Sequence, residues 1–120
     1  MRLEINNEEL EAQKHFLFNC RLSGLASRGR TRLVQKMEKA QKELNDEIVE
    51  KKREKATNFR EFLQDKMEET LVIEIDSSEE ELIRELYQEL QFYQGRMHKE
   101  VAQVYDDLMI KFDKMIKSSK

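Results

Sequence analysis

Residues 82–115 read LIRELYQELQFYQGRMHKEVAQVYDDLMIKFDKM, and the placing of their apolar side chains decides the fold. Leu82, Leu86, Leu90, Tyr93, Met97, Val101, Val104, Leu108, Phe112 and Met115 recur at spacings of 4, 4 and 3. An eleven-residue repeat averages about 3.67 residues per turn, so such a seam stays on one side of a nearly straight helix. Upstream, Ser78 with Glu81 three positions later matches a capping box. The spacing therefore predicts one long helix over 79–117.

Just before it, Leu71, Val72, Ile73, Glu74 and Ile75 break the helical period and bring three β-branched residues together. Residues 71–78 are expected to form a turn or a short extended segment. Further upstream, 31–70 lacks both Gly and Pro, and Leu33, Met37, Ala40, Leu44 and Ile48 recur at helical spacing. The stripe fades between Glu50 and Asn58, where Ala56 is the apolar residue, and returns with Phe59, Leu63, Met67 and Leu71. With the stems of Lys51, Lys52 and Lys55 covering the gap, the region reads as one long helix, 31–70, or as two stacked pieces.

Two arms of about 40 residues, each about 60 Å long at 1.5 Å per residue, joined by a short connection favour an antiparallel hairpin. Phe59, Leu63 and Met67 then oppose Leu82, Leu86 and Leu90, and the faded stretch opposes Gly95 and His98. Ser23, Gly24, Ser27 and Gly29 mark a connector over 23–30, with the two glycines as hinges. A shorter helix over 8–22 precedes it, capped by Asn6 or Asn7 and opened by Glu8 and Glu9. Its apolar residues spread over more than one face and need cover on two sides, while 1–7 is extended or frayed. The expected fold is all-α: one domain, an elongated, coiled-coil-like antiparallel helical hairpin with the shorter N-terminal helix packed on it.

Composition agrees with narrow seams rather than a broad core. The 120 residues are 38% hydrophobic and 39% charged, with three Gly and no Pro, against about 45–50% and 25% in ordinary domains. A single cysteine, Cys20, excludes an intramolecular disulfide and fits a reducing interior, the cytoplasm or nucleus. No run approaches the roughly 18 apolar residues of a membrane span, and Glu4, Glu8, Glu9 and Glu11 stand where a signal peptide is basic.

Catalytic chemistry has little to work with. His15, His98 and Cys20 are the residues that could act as base or nucleophile near neutral pH, and none belongs to a partnered motif. Position 95, three before His98, is Gly, so the Glu-x-x-His of di-iron bundles is missing, and there is no phosphate-binding glycine loop. No catalytic residue, metal site or cofactor is expected, and the chain is read as no enzyme.

Three features point instead to association. The seam residues Leu86, Leu90, Met97, Val101, Leu108 and Phe112 suit packing against another helix, of the same chain or of a homo- or hetero-oligomeric helical partner. Arg28, Arg30 and Arg32 open the second helix, where the dipole disfavours cations, so contact with phosphate or an acidic surface is a reason for them. Val72, Ile73 and Ile75, at the tip of the hairpin, either fold back or contact a partner. The function expected is that of a protein-interaction or scaffold subunit in a larger coiled-coil-containing assembly. A nucleic-acid-associated or acidic-surface-binding factor using the basic segment 21–36 is the alternative; the net charge of -3 and the lack of aromatics among the arginines weigh against nucleic acid.

Overall fold

In a computed structural model, which describes residues 1–55, 57–93 and 95–119, the chain runs β1 (Arg2–Asn6), α1 (Asn7–Asn19), α2 (Gly24–Arg53), α3 (Phe59–Glu68), β2 (Thr70–Glu74), α4 (Glu80–Gln91) and α5 (Lys99–Ser118). The protein is mainly helical, and the sole sheet among the described residues is a two-stranded one. Its principal extents are 48 × 34 × 22 Å.

The segment 1–7 is not frayed. Leu3 and Ile5 alternate with Arg2 and Glu4, and this period of two lets the strand bury one face while the other stays in water. β1 pairs antiparallel with β2, Leu3 opposite Ile73 and Ile5 opposite Leu71. Arg2 meets Glu74 directly across the ladder at 2.9 Å. The chain passes from β1 into α1 at Asn6, whose backbone N–H donates to the Glu9 carboxylate at 2.9 Å, half of the reciprocal arrangement that fixes a helix start.

The second helix begins earlier than its sequence suggests. Residues 24–30 belong to α2, and the connector shrinks to 20–23. Gly29 is no hinge: it lies buried inside the helix against α4, where a Cβ would run into the Leu82 carbonyl and approach Leu86 Cβ at 3.3 Å. The missing side chain allows α2 and α4 to approach closely. Lys36 meets Glu79 at 3.1 Å, so moving forward along α2 means moving backward along α4, and the two helices are antiparallel. α4 therefore lies beside the N-terminal half of α2; Phe59, Leu63 and Met67 are not its counterparts.

Both long helices are broken where their stripes are thinnest. α2 ends at Arg53, Lys55 adopts the left-handed conformation (φ 52°), and α3 starts at Phe59. Without apolar side chains to hold it against a neighbour the segment gains little from staying helical; Ala56, the apolar residue of this gap, lies outside the described residues. α3 folds back along α2, with Lys66 bridging Glu47 at 2.5 Å and Lys51 Nζ 5.4 Å from the Phe62 ring centroid. The last helix is likewise two helices rather than one over 79–117. α4 stops at Gln91 and α5 starts at Lys99, with Gly95 in the reversal. Tyr87 bonds Asp113, and Arg84 donates to Ser119 Oγ at 3.0 Å, so α4 and α5 form a hairpin of their own. The capping box at Ser78 does not form; Glu79 occupies the N-cap position, with no side-chain cap bond.

One core joins these elements. Leu3 and Ile5 from β1, Leu10 and Leu17 from α1, Leu33 and Met37 from α2, Leu86 and Leu90 from α4, and Leu108 and Phe112 from α5 are all essentially inaccessible to water. α1 lies between α2 and α5, tied by Lys14 to Gln41 and by Lys111 to Glu9 at 3.8 Å. That two-sided cover is what its spread of apolar residues requires.

Candidate interaction surface

The residues singled out from the sequence part company in three dimensions. Leu86, Leu90, Leu108 and Phe112 are 0% exposed and form intramolecular core, so that part of the seam is closed by the chain itself. Met97 is half-buried and Val101 is 37% exposed, both at one end of the bundle. Ile73 and Ile75 are buried in the core and offer no contact at a tip; Val72, on the solvent face of β2, is exposed.

The arginines divide in the same way. Arg30 donates to the Cys20 carbonyl at 2.6 Å and to the Leu17 carbonyl at 3.3 Å, with Ser27 Oγ 3.3 Å away. Both carbonyls lie at the end of α1, where Leu17 also accepts the Cys20 N–H at 3.2 Å, so the guanidinium adds to a helix cap and is not a free anion contact. Arg28 and Arg32 are exposed and form no ion pair among the described residues.

Where the C-terminus of α1, the first turn of α2, the end of α4 and the start of α5 meet, apolar surface is left uncovered. Phe18 is 65% exposed, Leu25 41% and Phe92 75%. A groove of about 390 Å³, which none of these three lines, runs between α1 and α5, with Phe16, Tyr93, Met97, Val101 and Val104 in its walls and His15, Arg96 and Glu100 at its rim. Phe16 holds the shape: its ring stands edge-on to Tyr93, centroids 6.0 Å apart, and tilted against Tyr105 at 5.6 Å. The lining is apolar with few polar groups, as in sites that take apolar side chains.

Burial pushes the Cys20 thiol up to about 11, only partly opposed by Tyr93 and Arg30. A thiol held protonated is a poor nucleophile. Burial also raises the hydroxyls of Tyr93 and Tyr105, and Cys20 adds to both. Among the described residues no group of three or more His, Cys, Asp and Glu side chains could hold a metal ion, and no helix is long and apolar enough to cross a membrane.

Sequence reasoning missed Phe92, because it falls off the 4-4-3 stripe. An aromatic residue outside the seam, three positions before Gly95, is the signal that a reversal, and not one continuous helix, occupies this stretch. No family model matches the chain, and neither the curated proteins nor the solved structures contain a match to it.

Proposed function

We propose that this protein is a non-enzymatic interaction module, a subunit of a larger coiled-coil-containing assembly, and that it binds an amphipathic helix of a partner protein at the end formed by α1, α2 and the 92–98 reversal. The observation that carries this reading is an apolar groove between two helices, whose lining residues Asn19 and Tyr93 are chain neighbours of the exposed Phe18 and Phe92. Large aromatic side chains left in water beside a concave apolar channel mark binding surfaces. A helix laid between α1 and α5 extends the packing that the bundle already uses, anchored at i, i+3 and i+4. Exposed Arg21 and Arg96 flank this end and suit a partner helix with an acidic side. The lone buried thiol, Cys20, fits work in a reducing interior, cytoplasm or nucleus.

Affinity capture with the wild-type chain and with a Phe18→Ser, Phe92→Ser double variant tests it. Both substitutions fall on exposed side chains, so the fold should survive while the helical partner is lost. Undiminished capture by the folded double variant refutes the reading.

A second reading draws on the outer side of α2. Arg28, Arg32, Lys39 and Lys42 are exposed there and make no ion pair among the described residues. That row supports an acidic or phosphate-bearing partner. Its signature is a steep loss of binding as salt rises, with strong sensitivity to Arg28→Ala and Arg32→Ala.

A further inference from the structure

The two-stranded sheet has an edge that the helices leave open. In an antiparallel ladder alternate residues exchange backbone hydrogen bonds with the neighbouring strand, and the residues between them turn their N–H and C=O groups the other way. Two bonds fix which residues do which: Ile75 N–H donates to the Met1 carbonyl at 2.9 Å, and Asn7 N–H donates to the Glu69 carbonyl at 3.0 Å. Together with the register of Leu3 opposite Ile73, they turn Met1, Leu3, Ile5 and Asn7 toward β2. Arg2, Glu4 and Asn6 present their main chain to the outer edge. Asn6 N–H is occupied by Glu9, whereas among the described residues no other group bonds the main chain of Arg2 or Glu4.

Along this edge lies a groove of about 350 Å³, bordered by Arg2 and Glu4 on the strand and by Lys111, Lys114 and Ser118 on α5. Ile5 and Met115 line its apolar part. Lys114 is exposed and without an ion pair among the described residues, and Lys111 reaches Glu9 only at 3.8 Å. An edge with unpaired N–H and C=O groups is a template for another strand, and the wall beside this one is basic.

We infer that the outer edge of β1 takes up an extended, acidic and apolar segment of a partner protein as a third strand. The main chain of Arg2 and Glu4 supplies the hydrogen bonds, every second side chain of the segment enters the groove between the strand and α5, and its carboxylates meet Lys111 and Lys114. Strand addition of this kind takes affinity from the backbone and selectivity from the alternate side chains. A second copy of the chain is a poorer occupant. Its own β1 carries helices on the core side, where α5 already stands, while an isolated segment brings none. This surface is separate from the α1–α5 groove, so either site can fail without the other.

Selection of a random eight-residue peptide library on the whole chain supplies the probes. Enriched peptides should lack Pro, combine apolar and acidic residues, and bind Glu4→Pro at least tenfold more weakly. That substitution removes an outward N–H and leaves the bonds to β2 intact. On adding a selected peptide, amide exchange at Arg2 and Glu4 should slow, while exchange at Val72 and Glu74, on the far edge of β2, should not. Lys111→Glu with Lys114→Glu should turn the selection from acidic to basic peptides. No enrichment, or peptides that leave Arg2 and Glu4 exchange unchanged, overturns the inference, and this exchange result decides the matter even if Glu4→Pro fails to fold. A dimer of the free chain that Glu4→Pro dissolves overturns it in favour of a second copy.

Discussion

Tyr105 donates its hydroxyl to the Leu90 carbonyl at 2.5 Å. The bond links the second turn of α5 to the last turn of α4 across the reversal, and it adds to the Tyr93 N–H that the same carbonyl accepts at 3.2 Å. Together with the Phe16 ring against Tyr105, it holds one wall of the α1–α5 groove. Tyr105→Phe keeps the ring and removes the bond. It should cost about 1 kcal/mol and lower the melting temperature by about 2–8 °C, with helicity by circular dichroism unchanged. An unaltered melt would mean that the reversal is held by packing alone.

Arg30 should behave unlike its neighbours. Arg30→Ala strips the end of α1 of a cation-assisted cap and should destabilise the fold by about 1–3 kcal/mol. Arg28→Ala, on an exposed side chain, should leave stability within about 0.5 kcal/mol. Lys at position 30 should restore only part of the loss, because one guanidinium nitrogen serves the Leu17 and Cys20 carbonyls while the other reaches Ser27 Oγ, a spread that a single ammonium lacks. Urea denaturation of the three variants is the check.

The former seam splits into a structural and a contact portion. Leu108→Ala, at a site with no exposure, should cost about 2–5 kcal/mol and reduce partner capture only as far as it unfolds the chain. Val101→Ala, at 37% exposure, should cost under about 1 kcal/mol and yet weaken capture. Melting curves alongside capture separate the two effects.

Alkaline stability follows from Cys20. Its thiol has an ordinary value of 9.0 and is pushed up to about 11 in the folded chain, so folding favours the protonated form. That contribution is complete below about pH 9, where both states hold the proton, and is lost as pH rises toward about 11. The raised Tyr93 and Tyr105 hydroxyls act in the same sense above their ordinary 10.0. The urea midpoint should therefore fall between about pH 9 and 11, and less so in Cys20→Ala. At neutral pH the native thiol should resist alkylation until the chain is unfolded.

Much of the fold was legible because helical periodicity reports burial. The apolar spacing over 82–115 marked both α4 and α5, Asn6 marked the start of α1, and the β-branched run at Val72 marked β2. The breaks were harder to see. α4 presents Ile, Leu and Tyr and α5 presents Leu, Met and Phe to the same core, so their stripes join in phase across Gly95 and imitate a single helix. The pairing of 1–7 with β2 depends on contacts about 70 residues apart, which local pattern does not encode. At the candidate site, Val101 and Met97 were legible as apolar positions. Whether a seam is closed by the chain or left for a partner depends on where α1 lies, and Arg30 was misread because its partners are carbonyls of another helix.

The most direct test of the account is hydrogen–deuterium exchange on the chain within its captured assembly, compared with the chain alone. Slower exchange is expected over 12–19 and 97–104, the two walls of the α1–α5 groove, with α2 residues 28–42 unchanged. Protection confined to 28–42, or none over either wall, would contradict a helix-binding role for this end of the bundle.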